Sequence, residues 1–145
     1  MREPLEGEST VVLATSGPAP VRLVLSGAWR PWRDAVVDYL VAVSGDGLEA
    51  EAGVTSLEGD SLEDYLSGLA ADFRGWVGIR EWRSLEGQFG IDATWANRGR
   101  VTLRFRLRPP GYAAGWEVSA EFEVDAGAEM EALSAEVAGF FAATR

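Results

Sequence analysis

Arg100–Arg108 (RVTLRFRLR) and Trp116–Val124 (WEVSAEFEV) each alternate apolar and polar residues without a break. Side chains leave a strand on opposite faces in turn, so Val101, Leu103, Phe105 and Leu107 share one side of the first segment. Trp116, Val118, Ala120, Phe122 and Val124 share one side of the second. At about 100° per residue a helix would scatter both sets around its axis. These segments are strands with one face to cover and one face that tolerates water, which requires an apolar layer over a sheet. Pro109-Pro110-Gly111 ends the first strand.

The rest of the chain supplies more strands and the covering layer. Thr10–Thr15 and Val21–Ser26 read as strands separated by Ser16-Gly17-Pro18-Ala19-Pro20. Ala35–Ser44 and Leu48–Thr55 form a hairpin through Asp46-Gly47, a pair suited to the positive φ angles of a type I′ turn. That loop sets Val43 opposite Ala50, Val41 opposite Ala52 and Tyr39 opposite Val54, with Glu49 and Glu51 turned away. Ile79–Ser84 and Gln88–Trp95 form another hairpin. A Glu86-Gly87 loop there sets Trp82 opposite Ile91, and Trp82, Phe89, Ile91, Ala93 and Trp95 share a face.

Two segments have helical spacing. Leu62, Tyr65, Leu66, Leu69 and Phe73 make one stripe, with Asp60 or Ser61 as cap, Glu63 and Asp64 at the positive N-terminal end, and Gly75 ending the helix in a left-handed conformation. Met130, Leu133, Val137, Phe140 and Phe141 make a second stripe over about 128–143. The expected class is α+β, a single-layer, mostly antiparallel sheet of about seven to eight strands with two helices on one face, in the order ββββαββββα. One domain spans residues 1–145, with residues 1–9 as a flexible N-terminal segment.

Composition narrows the function. The chain has no His, Cys or Lys, and its 23 acids outnumber 13 bases, all Arg, for a net charge of −10. The usual near-neutral bases, nucleophiles and soft metal ligands are missing together. A general base would have to be a carboxylate raised by burial or by a second carboxylate. The expectation is a non-enzyme without cofactor or metal. Nucleic acid is disfavoured as a partner, because binding it relies on cationic groups that displace phosphate counterions. A basic protein partner is favoured by electrostatic steering. The polar start MREPLEGEST has no signal-peptide character, no stretch is apolar enough to span a membrane, and no cysteine calls for an oxidising compartment, so a cytoplasmic location is expected.

Three places stand out as candidate partner-binding sites. Trp29-Arg30-Pro31-Trp32-Arg33 gathers two indoles and two guanidinium groups, types enriched at interface hot spots, in an expected loop. Arg74-Gly75-Trp76 is similar in kind. Arg100, Arg104, Arg106 and Arg108 face outward, with Arg104 and Arg106 central, and either form a ladder with Glu117, Glu121 and Glu123 or offer a polar platform. The structural alternative for Trp29, Trp32 and Trp76 is to cover the ends of the core. Glu81 and Asp92 fall opposite each other across the second hairpin, an unfavourable pairing unless an arginine intervenes, with Arg80 and Arg83 as the mediators to expect.

The stretch Leu66–Arg108, with its Arg74-Gly75-Trp76, Trp82-Arg83-Ser84, Glu86 and Gly99-Arg100-Val101 features, resembles a family of small uncharacterised proteins common in actinobacteria. The likeness covers the C-terminal half to two thirds. The family pattern carries His where this chain has Arg100, so no imidazole role is implied. More distantly, size, acidity and element order resemble immunity proteins of polymorphic toxin systems of the WapI-associated kind. That resemblance implies a protein-binding module that neutralises a basic toxin domain. The rival expectation is a small-ligand binder or carboxylate-dependent enzyme with a pocket lined by some of Trp76, Trp82, Trp95 and Trp116.

Overall fold

The structure is a computed structural model that describes residues 9–111 and 115–145. The segment expected to be flexible at residues 1–9 therefore lies, but for residue 9, outside the described residues. The order is β1 (Val11–Ala14), β2 (Val21–Trp29), β3 (Val36–Gly45), β4 (Leu48–Leu57), α1 (Leu62–Ala71), β5 (Ile79–Arg83), β6 (Phe89–Ala96), β7 (Arg100–Leu107), β8 (Val118–Asp125) and α2 (Ala128–Ala142). This is the α+β arrangement ββββαββββα that the periodicities predict. Every strand pair is antiparallel, and the strands are divided into two four-stranded meanders, β1-β2-β3-β4 and β5-β6-β7-β8. The division falls where α1 interrupts the run of short connections. Hairpin loops pair neighbours in sequence, and a helix between β4 and β5 removes that constraint.

One core nevertheless serves both sheets. Tyr39 of β3 meets Phe89 of β6 and Phe140 and Phe141 of α2 edge-on, with ring centroids 6.5, 6.0 and 5.4 Å away. Edge-to-face pairs of this kind each contribute about 0.5–1.5 kcal/mol beyond their burial. Phe89 continues the chain of rings to Trp82 and Phe105, and Phe105 to Phe122. Met130, Leu133, Val137, Phe140 and Phe141 of α2 are all buried, as their spacing predicts.

The hairpin registers are those the turn residues predict. Val43 pairs with Ala50, Val41 with Ala52, Tyr39 with Val54, and Trp82 with Ile91. Of the two loop residues in the first hairpin only Gly47 has positive φ (73°), so the turn is not type I′.

Four local expectations are corrected. Trp29 is the last residue of β2 and not part of a loop, because a bulge between Ser26 and Trp29 lets the strand resume pairing at Asp38. α1 stops at Ala71 with Asp72 as its C-cap, so Gly75 (φ 111°) does not end it, and Phe73 lies beyond the helix and exposed. Ser61 occupies the N-cap position without a side-chain cap bond. Asp60 instead accepts hydrogen bonds from the backbone N–H groups of Leu57 (3.0 Å) and Leu85 (2.9 Å), tying the end of β4 to the β5–β6 hairpin. Trp116 precedes β8 and is 40% exposed, so it does not join the inward face of that strand.

Candidate functional site

The bulge that extends β2 decides which side chains share the outer surface of the first sheet. Between Ser26↔Leu40 and Trp29↔Asp38, two residues of β2 oppose one of β3, and Gly27 takes up the turn at φ 64°. Trp29 then lies beside Asp38, which pairs on its other side with Thr55 of β4. The next row on that face is Leu40 and Gly53. Opposite stand Glu86 and Gln88 of the β5–β6 hairpin and Pro110 after β7. Together they enclose a cleft of about 610 Å³ where the two sheets meet.

Asp38 is the unusual member of this cleft. Its Oδ1 is shut off from solvent and has no hydrogen-bond partner among the described residues. An enclosed, unanswered carboxylate oxygen is costly, and most buried polar atoms avoid the condition. Asp38 was not singled out by the sequence analysis. Its signal is a lone acid at an outward position of an otherwise apolar strand, VVDYLVAVSG.

On the far side of Trp29 the chain is tied down. Arg30 Nη1 and Nη2 donate to the two carboxylate oxygens of Glu58 at 3.1 Å each, Nη1 also to the Asp34 carbonyl at 2.6 Å, and Nε to Thr144 Oγ1 at 3.0 Å. Arg145 adds ion pairs to Glu58 (3.7 Å) and Glu63 (3.1 Å). The Arg30 hydrogen bonds hold the Glu58 carboxyl below its ordinary range. Only 9% of the Arg30 side chain is exposed. Of the Trp-Arg-Pro-Trp-Arg segment, then, Arg30 is a fastener, while Trp29 (57% exposed), Trp32 (70% exposed) and exposed Arg33 are presented to solvent. A second cleft of about 740 Å³ lies here, bounded by Trp29, Arg33, Asp34, Glu58 and Arg145.

The other candidates sit elsewhere and have internal uses. Trp76 is half-buried, edge-on to Trp95 at 5.8 Å and under the Arg80 guanidinium at 4.8 Å, with Nε1 donating to the Ala93 carbonyl at 3.4 Å. A side chain on Gly75 would come within 2.8 Å of the Trp95 ring. This is the core-covering role. Arg74 is exposed and lies over Phe73 at 5.6 Å. Trp82 is buried and donates to the Asp60 carbonyl at 2.9 Å. Neither of the two clefts flanking Trp29 is lined by Trp76, Trp82, Trp95 or Trp116.

On the second sheet, Asp92 lies opposite Glu81 as the register predicts. Arg83 Nη2 donates to its Oδ1 at 3.0 Å, and Arg106 Nη2 makes a shorter contact to Oδ2. Arg80, the other expected mediator, pairs with Asp72 instead. Burial pushes the Asp92 carboxyl upward, but the bonds from Arg106 and Arg83 outweigh it, so the group titrates below the usual carboxylate range. That is opposite to the upward shift a near-neutral general acid or base needs. The outward ladder is present in part: Arg100 pairs with Glu123 (3.0 Å) and Glu129 (3.6 Å), and Arg104 stands opposite Glu121 and donates to Ser119 at 3.4 Å. Glu117 precedes β8, and Arg108 donates to the Gly87 carbonyl (3.0 Å).

Among the described residues no cluster of three or more acidic side chains is placed to hold a metal ion, and no helix is long and apolar enough to cross a membrane. No curated protein and no solved structure matches the chain. A family match does exist, and it runs through both sheets and both helices, further than the expected likeness over the C-terminal half to two thirds. Over residues 14–144 the sequence conforms to DUF6228, a family of unknown function, and the chain belongs to that family.

Proposed function

We propose that this protein is an acidic, cytoplasmic protein-binding module whose docking face is built around Trp29 and Trp32, and that the partner is a basic protein, in the specific form of a toxin domain neutralised by an immunity protein. The observation that carries the reading is the pair of tryptophans exposed to 57% and 70% on a segment held by Arg30 through four hydrogen bonds. Large apolar rings in water on a fixed scaffold suit a hot spot, since the entropy of ordering them has already been lost. The net charge of −10 supplies long-range attraction to a cationic surface.

The test is affinity capture at low ionic strength with the wild-type chain and with Trp32→Ala, followed by kinetics on the purified pair. The expected result is a basic partner whose association slows steeply with salt and whose affinity falls by about 30-fold or more in Trp32→Ala, the loss typical of a hot-spot residue. Co-expression with a toxic domain encoded beside it should restore growth. A partner bound equally well by Trp32→Ala, or an association rate indifferent to salt, would overturn the reading.

A further inference from the structure

We propose that the cleft between Trp29, Asp38 and Glu86 is the anchor pocket of this docking face and receives an arginine side chain of the partner protein; the assignment rests on the docking reading above. Three observations converge on a guanidinium group. The cleft walls carry two carboxylates, Asp38 and Glu86, and no arginine, whereas the neighbouring cleft beyond Trp29 is lined by Arg30, Arg33 and Arg145. Within the described residues Glu86 accepts a hydrogen bond from the neutral amide of Gln88 at 3.2 Å and makes no ion pair. Asp38 Oδ1 has no hydrogen-bond donor among the described residues, and a guanidinium group in the cleft would supply one once the carboxyl turns toward it.

The lining of the cleft favours a flat cation over a spherical one. Trp29 forms one wall, and an indole face attracts a guanidinium group stacked on it within about 6 Å. Guanidinium is planar and weakly hydrated, and it can stack while directing paired N–H groups at a carboxylate, whereas an ammonium ion holds its water tightly and has no plane to stack. Gly53 leaves room beside Leu40: a Cβ placed there would meet only Leu40 Cδ2, at 3.9 Å. Thr55 offers a hydroxyl on the same face.

The experiment follows the Trp29 indole N–H signal of the full chain, assigned by its loss in Trp29→Phe, while N-acetyl-arginine methylamide is added. The neutral isostere N-acetyl-citrulline methylamide and the lysine analogue are titrated in parallel. Saturable movement of the Trp29 signal with the arginine compound is expected, at least tenfold weaker with citrulline and weaker with lysine. Asp38→Asn should weaken arginine binding at least tenfold. Gly53→Leu, which occupies the cleft and leaves Asp38 intact, should block it and serves as the deciding variant if Asp38→Asn does not fold. Equal response to citrulline, equal response to lysine, or wild-type binding by both Asp38→Asn and Gly53→Leu would overturn the proposal. An arginine site in a chain that captures no protein would overturn the partner as its source. Loss of partner capture in Trp32→Ala together with a Trp29 signal unmoved by arginine would remove this pocket and leave the docking reading in place.

Discussion

Asp38 and Asp92 hold comparable positions in the two sheets and have opposite surroundings. Each lies on an interior strand, β3 or β6, on the side of the strand away from the shared core. Asp92 is gripped by Arg83 from one neighbouring strand and Arg106 from the other. Asp38 has Trp29 and Thr55 as its cross-strand neighbours, and its Oδ1 has no donor within the described chain. The second sheet has used its outward charge to hold itself together. The first sheet leaves Asp38 Oδ1 without a donor among the described residues, beside an exposed indole, and the proposed docking face draws on that difference.

The largest expected effect comes from removing the internal use of charge. Asp92→Asn leaves two guanidinium groups side by side without their anion, and should cost about 2–4 kcal/mol in denaturant unfolding, the lower part of the range reflecting partly exposed arginines. A cost below about 1 kcal/mol would mean that the Arg83–Asp92–Arg106 cluster is incidental. Next is Gly90→Ala, whose new Cβ would sit 2.8 Å from Arg83 Cδ and displace that side chain from Asp92. A loss of about 1–2 kcal/mol is expected, and it should largely vanish in the Asp92→Asn background, where there is less left to disrupt.

Acid titration sharpens the same contrast. The folded Asp92 carboxyl titrates below its unfolded value of about 3.9, so its stabilising contribution is present above that pH and disappears as pH falls through the folded value. Stability measured from pH 6 down to pH 2 should drop more steeply in the wild type than in Asp92→Asn, and parallel curves would contradict this. The smallest effect is expected at Tyr39. Its hydroxyl is buried with no hydrogen-bond partner among the described residues, and burial, reinforced by the charge of Asp60, raises its pKa far above the ordinary range. Tyr39→Phe removes an unsatisfied polar atom while keeping the ring contacts, so the free energy of unfolding should stay level or rise by up to about 1 kcal/mol. The raised pKa also makes the wild type lose stability in alkali as pH rises above about 10, and Tyr39→Phe should soften that loss.

What could be read from residue order follows from how local each feature is. The registers of β3–β4 and β5–β6 were legible because a short loop fixes which residues face each other. The buried stripe of α2 was legible because its period is a property of one segment. Trp29 was misplaced because a bulge at Gly27 is a backbone event with no apolar period to announce it. Arg106 was missed as a partner of Asp92 because it reaches diagonally across the β6–β7 pair, while sequence proximity pointed to Arg80 and Arg83. The isolation of Asp38 was the least legible feature. It depends on what the β5–β6 hairpin, almost fifty residues further on, brings to the opposite wall.

The most direct measurement compares the free energies of unfolding of Asp38→Asn and Asp92→Asn in the unliganded chain. The account predicts that Asp38→Asn stays within about 0.5 kcal/mol of the wild type or becomes more stable, while Asp92→Asn loses about 2–4 kcal/mol. Equal losses in the two variants would show that Asp38 is as much a part of the scaffold as Asp92, and that the first sheet holds no charge in reserve for a partner.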